Sequence, residues 1–131
     1  MKAYAITDIG KKRSFNQDYA WMTTDEIGKL PNLFIVADGM GGHRGGGYAS
    51  RLAVETILNA KKIYVIGIRS CAPLASFLGF YLNLICDNVV AVHTNSSSEI
   101  FEQLIRIDED DVIIGISFPR YSMRTLKALE F

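Results

Sequence analysis

An aspartate at the end of an apolar run, followed at once by glycines, is the first arrangement in this sequence that could do chemistry. Asp38 closes the run Leu33–Ala37 and opens DGMGGHRGGG, residues 38–47. A carboxylate at a strand tip with glycine behind it lets backbone carbonyls approach the same ion as the side chain. Hard divalent cations such as Mg²⁺ and Mn²⁺ take that all-oxygen environment. Asp18, at the head of another short run, can lie beside Asp38, and Arg13 can offer a two-pronged guanidinium to a phosphate. By spacing alone, a flexible glycine turn with a solvated aspartate explains the same residues.

A second constellation sits farther along. Gly67, Arg69 and Ser70 follow one apolar run, and Ser117, Arg120 and Ser122 follow another. Hydroxyls, a helix N-terminus and a guanidinium converging on one crevice suit an anionic phosphate. The plainer alternative makes Ser70 and Ser122 helix N-caps and Ser117 a turn residue.

The elements that must position these groups fall into two patterns. In the first, 2–9 alternates and reads as a strand, 10–15 as a basic turn, 18–23 as a second strand, 25–31 as a polar loop and 33–37 as a buried strand. Short links favour antiparallel pairing, a meander. Residues 47–61 then form an amphipathic helix, with Ala49, Leu52, Ala53, Ile57, Leu58 and Ala60 as its apolar face. In the second pattern, apolar strands at 62–67, 89–93 and 111–117 alternate with helices at 70–86, after Ser96, and at 121–129. Ser96 with Glu99 makes a capping box. Near-continuous apolar strands joined by helices mean a parallel sheet with right-handed crossovers. With 62–67 central, strand order reverses between the first and third strands, and the two serine loops meet there. Asp108, Glu109, Asp110 and Asp111 precede a strand, at the opposite end, and read as a solvated loop.

The chain has 131 residues, 49% of them hydrophobic, with fourteen basic residues balancing fourteen acidic ones. It is globular, and its neutrality gives no electrostatic footprint for nucleic acid. Cys71 and Cys86 have no metal-type spacing and read as reduced core residues of a cytoplasmic protein. No signal peptide is expected, and the apolar stretch 72–85 is too short to span a bilayer.

Two resemblances follow from the motifs. TDIGKKRSFNQDYA (7–20) and LFIVADGMGGHRGGGYAS (33–50) resemble the start of the bacterial PPM-type (type 2C) metal-dependent Ser/Thr protein phosphatases. That resemblance implies Mg²⁺ or Mn²⁺, with Asp38 bridging two metals, the Gly39 carbonyl ligating one, Asp18 binding metal-held water and Arg13 holding substrate phosphate. His43 matches a histidine of the family's loop. The later aspartates of that family have no counterpart here. IYVIGIRSCAPLASFLGFYLN and DDVIIGISFPRYSMRTLKAL resemble the sugar isomerase (SIS) domain of RpiR-type regulators. By that resemblance Ser70, Ser117 and Ser122 contact a phosphosugar, although Pro119 and Arg120 replace the Ser-Gly commonest there.

The expectation is therefore an α/β chimera, recombined or engineered. Its phosphatase-like fragment (1–58: meander, glycine-rich loop, helix) joins a flavodoxin-like, three-stranded parallel SIS fragment (59–131) in one folded unit. Intact catalysis is not expected, metal binding would be weak, and phosphosugar or phosphate binding weak at most. No nucleic-acid or membrane partner is expected, a homodimer is left open, and residual Mg/Mn phosphatase activity is the alternative.

Overall fold

The structure, a computed structural model, describes residues 1–39, 45–93, 96–119 and 121–131, so His43 and Arg120 lie outside it. The chain divides into two compact units, Met1–Asn59 and Ala60–Phe131.

In the first unit, strands β1 (Tyr19–Thr23) and β2 (Leu33–Ala37) pair antiparallel, with Tyr19 opposite Ala37 and Thr23 opposite Leu33. A tight turn joins them: Ile27 and Leu30 exchange backbone hydrogen bonds of 2.9 and 3.0 Å around Gly28, whose φ of 56° suits glycine. Helix α1 (Gly46–Asn59) packs on both strands. The strand expected at 2–9 does not form, and Tyr4 and Ile6 are exposed. Its alternation is strand-like, but no strand pairs with it, and an unpaired strand is not stable.

Helix α1 also turns a different face inward than its apolar periodicity suggested. Ser50 and Val54 are buried, whereas Ala49, Leu52 and Ala53 are exposed. A polar contact sets this rotation. Ser50 Oγ lies 2.9 Å from both the Gln17 and Gly46 carbonyl oxygens, sharing its proton between the segment just before β1 and its own helix.

The second unit is a three-stranded parallel sheet in the order β4-β3-β5, built from β3 (Ile63–Gly67), β4 (Val89–Val92) and β5 (Val112–Ile116). All five residues of β3 are buried, as its central place requires. Helix α2 (Ala72–Ile85) covers one face, where Gly79 lets it approach Ala91 closely. Helices α3 (Ser97–Leu104) and α4 (Met123–Glu130) cover the other, over Tyr64, Ile66, Val92, Ile100, Leu104 and Ala128. Opposite faces for successive crossovers are what right-handed connections give when the chain steps out to β4 and back past β3 to β5. The Ser96 cap forms, accepting from the Glu99 N–H at 3.4 Å. At the N-terminal edge, the Asn88 side chain donates to the Ala60 and Lys61 carbonyls at 2.6 and 2.9 Å. Lys61 Nζ meets Asp108 at 2.7 Å.

Candidate functional site

Strand β3 ends at Gly67, where the chain turns tightly into α2. A Cβ there would overlap the Cys71 carbonyl and lie 2.9 Å from Ala75 Cβ, so only glycine lets strand and helix meet this closely. Ile68 is buried, Arg69 adopts a left-handed φ of 58°, and Arg69–Cys71 form a 3-10 turn leading into α2. Strand β5 ends beside it, and Ser117 to Ser122 lead into α4.

These two loops line one cavity of about 450 Å³, which Ser70, Ser117, Ser122, Arg69 and Arg124 share with apolar walls from Phe118 and Tyr121. Among the described residues no aspartate or glutamate lines it, so a chain that is neutral overall carries a cationic crevice at this end of the sheet.

The serines are not helix caps. The residue preceding α2 is Cys71 rather than Ser70, and no side chain caps that helix. Ser122 does precede α4, yet its hydroxyl makes no capping bond. Ser117 Oγ accepts from the Ser122 N–H at 3.2 Å, which leaves its own proton to donate. The first bond of α4 runs from Leu126 N–H to Ser122 O, so the Met123, Arg124 and Thr125 amides have no helical acceptor, and Ser122, Met123 and Arg124 of this helix start line the cavity. Arg124 was not singled out from the sequence. Its position in the first turn of the helix after Ser122 is the signal that could have found it.

In the first unit, the β1–β2 register carried one step on sets Asp18 opposite Asp38. The Asp18 N–H is held by Asn16 Oδ1 at 3.0 Å, while Asp18 Oδ1 is buried without a hydrogen-bond partner. Gly39 is buried, and a Cβ on it would come within 2.8 Å of Ser50 Oγ. Asp38 and Arg13 are exposed. The donor set fits one hard cation: the Asp38 carboxylate and Gly39 carbonyl as ligands, with the orphaned Asp18 oxygen reaching through water. Bound there, such an ion would polarise a phosphoryl oxygen. Among the described residues, no three His, Cys, Asp or Glu side chains gather as a metal cluster.

The SIS domain family model matches residues 56–131, more than half of the chain. The chain belongs to the SIS domain family. The SIS match takes in β3 to α4 and both serine loops. Curated relatives of another kind match shorter stretches. Protein phosphatase PhpP of Streptococcus pneumoniae is 46% identical over 57 residues, covering 44% of this chain and 22% of that protein. A putative protein phosphatase 2C-type of Streptococcus pyogenes is 49% identical over 62 residues, 44% of this chain and 22% of its own. The Serine/threonine phosphatase stp of Listeria innocua is 44% identical over 62 residues, covering 47% and 24%. This SIS-domain chain thus spans less than a quarter of the length of the phosphatases it resembles. No solved structure matches it significantly.

Proposed function

We propose that the chain is a phosphate-recognising SIS module, binding a phosphosugar or free phosphate weakly in the crevice between β3 and β5. One observation carries this reading. Ser70, Ser117 and Ser122 keep hydroxyl protons that no cap or turn consumes, in a cavity that also holds Arg69, Arg124 and the N-terminus of α4. Such a site would hold the phosphate by charge-assisted hydrogen bonds, with Phe118 and Tyr121 walling the sugar. The resemblance of its motifs to RpiR-type regulators favours a sensing rather than a catalytic role in this reading. Backbone NMR titration with hexose and pentose phosphates tests it. Shifts centred on residues 67–70 and 117–124 are expected. Their absence at millimolar ligand would refute the reading.

We read the phosphatase-like half as a scaffold without an intact catalytic centre, joined to the SIS module by recombination or engineering. The SIS match begins at residue 56, and the phosphatase matches extend over 57 to 62 residues. A second reading, a residual Mg/Mn-dependent phosphatase, is favoured by the opposition of Asp18 and Asp38 and by the orphaned Asp18 oxygen. For compartment, we propose the cytoplasm, since both cysteines are free thiols. Among the described residues no helix is long and apolar enough to cross a membrane.

A further inference from the structure

Helices α3 and α4 pack together on one face of the parallel sheet, and a cavity of about 160 Å³ remains between them. Its place follows from the small residues that hold α4 down. Thr125 and Ala128, three apart and both buried, form the inner stripe of that helix. The next stripe, one position back, is Arg124 and Lys127, and it lines the cavity opposite Ile100 and Phe101 of α3. Ile100 is 1% exposed and forms the floor, while the Phe101 ring is braced by Phe131, 5.3 Å away between centroids. Met123, 65% exposed, completes the rim.

We propose that this cavity is a second binding site, distinct from the serine crevice, for a small aromatic monocarboxylate. Size is the first reason. An apolar cavity of about 150 Å³ holds one benzene ring, and this one has that volume. The chemistry of its walls is the second. Ile100, Phe101 and Met123 face two cations, and among the described residues no aspartate or glutamate joins them. A phosphate dianion would have to shed its water against Ile100 and Phe101. A single carboxylate on a flat ring instead stays at the mouth, where the Arg124 fork and the Lys127 ammonium meet it through charge-assisted hydrogen bonds. Among the described residues neither cation makes an ion pair, so neither gives one up to the ligand. The Met123 thioether, soft and unbranched, closes over the ring edge. Arg124 and Met123 also line the crevice, yet the site stands whether or not phosphate binds there.

Backbone and methyl NMR titration of the full chain with benzoate tests the proposal. Shifts are expected at Ile100, Phe101, Met123 and Lys127, and not centred on Ser70 and Ser117. Acetate lacks the ring and benzyl alcohol lacks the charge. Each should bind these residues at least about tenfold more weakly, through the loss of ring burial or of a charge-assisted pair. Lys127 is exposed, so Lys127→Met should keep the fold and weaken benzoate severalfold, while Lys127→Arg retains binding. The absence of shifts at millimolar benzoate overturns the proposal, as do shifts centred on residues 67–70 and 117 alone. So does benzyl alcohol binding as tightly as benzoate, or an affinity that Lys127→Met leaves unchanged. Inorganic phosphate, titrated separately, reports on the crevice, so a failure there is read apart from a failure here.

Discussion

The Ser122 backbone N–H donates to the Ser117 hydroxyl oxygen across 3.2 Å, so the start of α4 is tied to the end of β5 by a side chain that remains free to donate onward. Among the described residues Ser70 has no comparable partner, and the two serines should respond differently to truncation.

Ser117→Ala should lower both stability and phosphate affinity. The lost hydrogen bond is half-buried, so unfolding free energy should fall by about 1 kcal/mol. Ser70→Ala should weaken ligand binding and leave the urea midpoint unchanged. Calorimetric titration beside urea melts separates the two; equal stability losses would show that Ser70 has a structural role.

Gly67→Ala should destabilise the second unit by about 1–3 kcal/mol, since the new methyl group meets the Cys71 backbone rather than a yielding side chain. Denaturant unfolding followed by Tyr64 fluorescence or by NMR would read it. A neutral outcome would mean that the turn after β3 relaxes freely.

Leu104→Ala or Ile66→Ala should cost about 2–5 kcal/mol, the range for emptying a buried aliphatic site. Leu52→Ala should cost less than about 1 kcal/mol, because Leu52 is 45% exposed, while Val54→Ala removes a buried side chain and should cost more. Parallel melts rank them, and a reversed order of Leu52 and Val54 would place the wrong face of α1 against β1 and β2.

Hydrolysis of p-nitrophenyl phosphate with millimolar Mn²⁺ should stay near background. Asp38 and the Gly39 carbonyl provide two direct oxygens, and Mg²⁺-class ions need about six ligands, leaving a second ion without a home. Robust turnover abolished by Asp38→Asn would establish the phosphatase reading instead.

The exposed Lys61–Asp108 pair should matter little at neutral pH and not at all in acid. The lysine hydrogen bond holds the Asp108 carboxyl below its usual range, and the same bond raises Lys61. A depressed carboxyl contributes stability above its unfolded value, about 3.9, and loses it as pH falls through the folded value. A raised lysine loses its contribution only in strong base. The melting difference between wild type and Lys61→Met should thus be small and flat from mild acid to mild base, then vanish as Asp108 protonates.

The parallel half was legible because its central strand is buried throughout and writes the unbroken apolar run Ile63–Gly67, while the half-buried edge strands β4 and β5 are apolar runs too. The switch point follows from connection handedness, but the helix period misreads burial on α2, where Ala75 and Gly79 face the sheet and Leu74, Phe77 and Tyr81 are exposed. The first half was harder to read. At 2–9, Tyr4 and Ile6 alternate like a strand, but alternation does not supply a neighbour to pair with. On α1, counting apolar residues favoured Leu52, whereas a hydroxyl, Ser50, decides the rotation through the Gln17 carbonyl. The crevice serines were recognisable by their positions after strands. That they are not caps depends on backbone details, such as the 3-10 turn at Arg69–Cys71, which the residue types do not encode.

The central place of β3 also orders assembly in time. Ile63 pairs with Val89 in β4 and with Val112 in β5, so the second pairing closes a loop roughly twice as long and costs about 0.6 kcal/mol more in chain entropy. The β3–α2–β4 unit is local and can form first, even while β5 is still being synthesised. The crevice lies between β3 and β5 and is complete only after the late pairing. Ligand-binding competence would then be acquired last during folding, and a ligand present at that stage would pull the final docking of β5 and α4 to completion by mass action.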